Sequence, residues 1–91
     1  MVLVDLWAPW CAPCHTISAL IEQAAKDLAG QIKVVKVNVE VAPAISRRFG
    51  VQGIPTLLLL RDGQEFGRQV GALPGHALGA WIDAELTRTN R

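Results

Sequence analysis

The 91-residue sequence predicts one α/β domain over residues 1–91, with elements in the order β-α-β-α-β-β-α. They form a mixed four-stranded sheet with helices on both faces. Three observations predict this. Short, almost wholly apolar runs recur along the chain, as buried strands require. Between them lie segments whose apolar residues are spaced for one face of a helix. Finally, Arg61-Asp62-Gly63 is a turn signal that joins two strand-like runs directly, so part of the sheet is a hairpin.

The elements follow in order. Val2 to Trp7 is an apolar run of strand-favouring residues. Pro9 to Pro13 carries two prolines and two nearby cysteines, and a helical pattern follows. Ile17, Leu20, Ile21, Ala24 and Leu28 share one face, Glu22, Gln23, Lys26 and Asp27 occupy the other, and Gly30 is placed to end the helix. Ile32 to Val39 is dense in Val and reads as a second strand. Ala42 to Phe49 forms a short helix, with Pro43 tolerated near its start and Gly50 ending it. Thr56 to Leu60 is a third, buried strand, and the more polar Gln64 to Val70 is a fourth at a sheet edge. Gly71 to Gly75 is a loop, after which Leu78, Trp81, Ile82 and Leu86 outline a terminal amphipathic helix. Thr87 to Arg91 are expected to fray. A helix joins the first two strands, so they are expected to be parallel through a right-handed crossover.

Nine Lys and Arg against eight Asp and Glu leave a net charge of +1, which offers no electrostatic footprint for nucleic acid or an anionic membrane. No apolar run approaches the ~20 residues needed to cross a bilayer. Asp5 interrupts an N-terminus that has no basic region before it, so it reads as a poor signal peptide and the expected location is cytoplasmic.

Cys11 and Cys14 carry the chemistry. A bridge between them closes a very small ring, worth roughly 2 kcal/mol as a structural staple, so redox or metal chemistry is the better first reading. The pair sits where the first strand hands over to a helix. There the partial positive charge of unpaired amides favours thiolate over thiol. A thiolate at Cys11 can attack a disulfide in another molecule, and Cys14 can then attack the mixed disulfide and release the product. Pro13 suits the first helical turn because its missing N–H leaves no bond unmade. Two rivals share these residues. Cys11-Ala12-Pro13-Cys14-His15 matches a c-type haem attachment pattern, but three strand runs do not suit a small helical cytochrome. Zinc could nominally draw on both cysteines, His15 and His76, but zinc sites usually show two separated ligand pairs.

The segment Val2-Leu3-Val4-Asp5-Leu6-Trp7-Ala8-Pro9-Trp10-Cys11-Ala12-Pro13-Cys14 resembles the active-site segment of the thioredoxin family. The resemblance continues through Lys36-Val37-Asn38, Arg48-Phe49-Gly50-Val51, Gly53-Ile54-Pro55-Thr56, Asp62-Gly63 and Val70-Gly71-Ala72, in the family's order. It implies a thioredoxin-like fold and a protein-disulfide reductase that needs no cofactor and no metal. It further implies that Pro55 is cis and faces the cysteines, and that the backbone of Ile54 pairs with an extended substrate segment. Trp10, Gly53, Ile54, Gly71 and Ala72 would line the docking surface. Asp5, costly to bury on an apolar strand, would lie beneath the disulfide and take the proton of Cys14, with Lys36 nearby. The implied partners are disulfide-containing proteins and a thioredoxin-reductase-type electron donor. The alternative is a redox-inactive binding or scaffold module on the same fold.

The sequence departs from the family at four places. Ala12 stands between the cysteines where glycine is usual, His15 replaces a lysine or arginine, and Ala19 replaces a helix-kinking proline. The family's first strand and helix have no counterpart before Val2. The run Ile32 to Val39 is therefore expected at a sheet edge, where a homodimer could form through it, with Lys33 and Lys36 as partial gatekeepers.

Overall fold

A computed structural model describes residues 1–89. Its elements are β1 (Val2–Trp7), α1 (Ala12–Asp27), β2 (Lys33–Asn38), α2 (Pro43–Arg48), β3 (Thr56–Arg61), β4 (Gln64–Val70) and α3 (Gly75–Thr89). The sheet order is β2-β1-β3-β4. β1 runs parallel to β2 and antiparallel to β3, and β3 and β4 form an antiparallel hairpin. The mixed four-stranded sheet, the parallel first pair and both edge strands are as expected.

Alternation along β1 divides the core. Leu3 joins Ile17 and Ile21 of α1, Leu57 and Leu59 of β3, and Leu78 and Ile82 of α3 on one face of the sheet. Val4 and Leu6 join Leu58 on the other face, where Ile45 of the short α2 and its C-cap Phe49 cover them. A strand apolar at nearly every position serves two cores because successive side chains point to opposite faces. Asp5, in register beside Lys36 of β2, therefore faces the α1 side along with Leu3.

Local chemistry explains the boundaries. The β3–β4 turn is the two-residue loop Asp62-Gly63, with φ of 53° and 80°, the left-handed pair that matches strand twist. α2 closes on Gly50 (φ 63°): the amides of Gly50 and Val51 take the carbonyls of Arg47 and Ser46 at 3.2 and 2.8 Å, a Schellman motif.

Two expectations are corrected. Gly30 does have a positive φ (89°), but α1 caps at Leu28, so the glycine belongs to the turn beyond the helix end. The expected fraying from Thr87 does not hold for Thr87 and Arg88. They continue α3, where the Arg88 guanidinium bonds Glu85 and donates to the Phe66 carbonyl. Asn90 and Arg91 lie outside the described residues. No helix among the described residues is long and apolar enough to cross a membrane.

Candidate functional site

Cys11 is the N-cap of α1, with extended backbone (φ −88°, ψ 101°), and its sulfur accepts the Cys14 amide at 3.2 Å. The cap thus takes up one of the free N–H groups at the helix start, where partial positive charge gathers. Ala12 and Pro13 begin the helix, and the proline forfeits no intrahelical bond there. Cys14, one turn on, is joined to Cys11 in a disulfide with Cα atoms 5.3 Å apart. Both cysteines are enclosed, at 4% and 3% exposure, so exposure does not distinguish them. Their surroundings do. Cys11 holds the cap, while Cys14 faces a cavity of about 130 Å³ behind the disulfide.

That cavity is lined by Asp5, Trp7, Cys14, His15, Ser18 and Lys36. Asp5 is 2% exposed and its Oδ1 has no hydrogen-bond partner. Burial pushes its carboxyl up to about 6, against the opposing pull of the Lys36 ammonium. Asp5 therefore does not face solvent. Lys36 itself is exposed, and its Nζ donates to Ser18 Oγ at 2.7 Å and to Glu22 Oε1 at 3.3 Å. His15 donates from Nε2 to the Pro9 carbonyl at 2.8 Å and stands edge-on to Trp7.

Above the disulfide the loop before β3 closes in. The Ile54–Pro55 bond is cis, as the resemblance implied. Ile54 packs on the cluster formed by Ala8, Cys11 and Cys14. The Gly53 carbonyl accepts the Thr56 hydroxyl at 2.5 Å, and the Pro55 carbonyl accepts the Gly71 amide at 2.8 Å, where Gly71 adopts a φ of 91° open to glycine. This bond brings Gly71 and Ala72 beside the cis proline. Trp10 is 69% exposed, and its indole N–H donates to the Glu40 carboxylate.

The structure adds residues that the sequence reading missed. Glu40, Ser18 and Arg47 reach the site from outside any motif, and Val70, which opens the Val70-Gly71-Ala72 motif, is 57% exposed. Their signal is tertiary: Glu40 and Arg47 come from elements distant from the cysteines, and Ser18, on α1 itself, joins the site through Lys36 of β2. Among the described residues no three His, Cys, Asp or Glu side chains gather as metal ligands, and the nominal His76 set does not assemble.

The thioredoxin family model matches residues 1–84. Among curated proteins, the thioredoxin of Haemophilus influenzae is 45% identical over 93% of this chain and 79% of its own length. The thioredoxin of Pseudomonas aeruginosa is 42% identical over the same shares. A chloroplastic M-type thioredoxin of Triticum aestivum is 44% identical over 90% of this chain and 47% of its own length. Sequence relationship, sheet order, cis proline and a paired Cys11–Cys14 at the start of α1 agree, and the chain belongs to the thioredoxin family of thiol–disulfide oxidoreductases.

Proposed function

We propose that the chain works as one domain that reduces disulfides in proteins, with Cys11 as nucleophile, Cys14 as resolving thiol and Asp5 as proton acceptor. The observation that carries this reading is the cysteine pair spanning the first turn of α1, with a buried carboxyl, one oxygen of it without a hydrogen-bond partner among the described residues, lining the cavity behind Cys14. In the reduced protein the capping amide stabilises the Cys11 thiolate. That thiolate attacks one sulfur of the substrate disulfide. A mixed disulfide forms, and the displaced substrate sulfur leaves as a thiolate and takes a proton from water. Cys14 passes its proton towards Asp5 and attacks the Cys11 sulfur. The mixed disulfide breaks, the second substrate sulfur leaves as a thiolate that takes up the proton from Asp5, and the Cys11–Cys14 disulfide is left. Two electrons have passed to the substrate, and a reductase-type donor returns two electrons, with one proton to Cys14. A carboxyl near 6 is mostly ionised at neutral pH and so can accept the proton.

Trp10, Gly53, Ile54, Pro55, Gly71 and Ala72 form the docking surface, with the Ile54 backbone adding a short strand from the substrate. Lys36 acts as an auxiliary to Asp5, and Pro13 holds the first turn. A dithiol acting as a reductant needs a reducing compartment, and we assign the protein to the cytoplasm, in electron transport and redox homeostasis. We also propose a homodimer through β2, whose outer edge has no strand partner among the described residues. Reduction of insulin disulfides, followed by turbidity, tests the activity. The wild type should precipitate the insulin B chain catalytically and Cys11→Ser should not; an inactive wild type would sink the reading.

A further inference from the structure

A groove of about 370 Å³ runs from the exposed Trp10 ring, beside the disulfide, to the C-terminal half of α2. Its walls are mainly apolar, from Val39, Pro43, Val51 and Ile54, and its size falls within the range of pockets that hold ligand groups. One cation lines it, Arg47. Among the described residues no carboxylate pairs with Arg47, whereas Lys36, Arg68 and Arg88 each have one. The helix end does not need it either. The Ser46, Arg47 and Phe49 carbonyls are already taken by the amides of Val51 and Gly50 and by the Arg68 guanidinium. Arg48 next door lies over the Phe49 ring and lines a different hollow. Ser46 also lines the groove, and its hydroxyl has no hydrogen-bond partner. The groove is polarised. At the Trp10 end stands Glu40, already engaged by the indole N–H, and on the α2 side stands the unpaired guanidinium.

We propose that this groove is a substrate subsite in which Arg47 pairs with a carboxylate carried near the reactive cysteine of the substrate. An extended substrate segment would lay an apolar side chain against Val39, Val51 and Ile54 and an acidic one towards Arg47, while Glu40 turns acids away from the Trp10 end. The favoured substrate class is therefore proteins whose attacked disulfide is flanked by an apolar and an acidic residue, with a basic residue disfavoured there. This rests on the reading that Cys11 and Cys14 exchange with protein disulfides. It adds no chemical step: the two electrons and two protons move as described above, and Arg47 acts only on binding.

The test uses the full chain in its reduced form and disulfide-bridged peptides that differ only in carrying Glu, Gln or Lys at each neighbouring position in turn. Hydroxyethyl disulfide, which is uncharged, serves as control. At the responsive position the wild type should reduce the Glu peptide about two- to fivefold faster in kcat/KM than the Gln peptide, the range of a solvent-exposed ion pair, and the Lys peptide more slowly still. The preference should shrink with added salt. Arg47→Gln should erase it and Arg47→Glu should reverse it, with hydroxyethyl disulfide reduced equally by all three proteins. A wild type indifferent to charge, or an Arg47→Gln protein that keeps the preference, overturns the subsite while leaving the redox reading standing. Failure of the wild type to reduce hydroxyethyl disulfide overturns the redox reading and the subsite with it.

Discussion

Asp5 pays for its position: it is 2% exposed, one oxygen is unpartnered, and burial lifts its carboxyl from 3.8 to about 6. The consequence for stability has a definite sign. Between pH ~4 and ~6 the folded chain binds more protons at this residue than the unfolded chain, so stability falls as pH rises through that window and is flat above it. The loss amounts to about 3 kcal/mol at neutral pH, an order-of-magnitude figure at ~1.4 kcal/mol per tenfold. Asp5→Asn should therefore unfold at higher denaturant concentration than wild type at pH 7, with the gain vanishing below pH ~4. The same variant should resolve mixed disulfides more slowly, and unchanged turnover from pH ~6 to ~9 (spanning the usual thiol range) would remove Asp5 from the proton path. The sulfurs differ by environment and not by exposure. Cys14→Ser should accumulate mixed disulfides because the capped Cys11 still attacks and nothing resolves, whereas Cys11→Ser should trap few. Equal trapping by mass spectrometry would overturn the assignment.

At the scale of the element, α1 joins core and site. Its inner face carries Ile17 and Ile21 into the cluster with Leu3, Leu57 and Ile82, while its first turn presents the cysteines. Anchoring the helix body fixes where the sulfurs sit relative to the sheet. Ile21 is fully buried, so Ile21→Ala leaves a cavity and should cost about 2–5 kcal/mol in denaturant unfolding. Gln23, on the outer face, makes only an exposed bond to Asp27 one turn on, and Gln23→Ala should cost no more than about 0.5 kcal/mol. Comparable losses at both positions would contradict the packing of this helix. Beyond Pro13 in its first turn α1 has no proline, and the element is a single helix of 16 residues.

At the scale of the whole molecule, the sheet ends in two edges, β2 and β4. β4 ends its run in the exposed Val70, beside the cis-proline loop, and pairs with β3 across an irregularity at Leu59/Leu60 of the kind that blunts an edge. β2 has no such irregularity in its pairing with β1, and it carries two exposed charges, Lys33 and Lys36, of the kind that discourages edge pairing. Lys36 is partly committed to Ser18 and Glu22 on α1, which weakens it as a gatekeeper. Light scattering should show the mean mass of this chain rising above 9.8 kDa as concentration increases. A constant monomer mass would show that two lysines suffice to protect the edge.

Much of this was legible in the residues. Short apolar runs, 3.6-residue spacing and turn signals located all seven elements, since burial leaves its pattern in the chain. Gln64–Val70 was read to its ends because Asp62-Gly63 and Gly71 bracket it with left-handed positions. The Cys11–Cys14 spacing and the motifs around Pro55 carried the redox site, including a cis bond that propensity alone would never have chosen. Tertiary structure decided the rest. Whether Asp5 met solvent or a closed cavity depended on which face of β1 receives α1, and a run apolar at almost every position does not encode that choice. Glu40 on the Trp10 indole, Ser18 on the Lys36 ammonium and Arg47 in the groove are pairings across loops and strands. Local sequence specifies elements because their hydrogen bonds and burial repeat at short range. The environment of a titrating or docking group is set by what the fold brings to it from elsewhere in the chain.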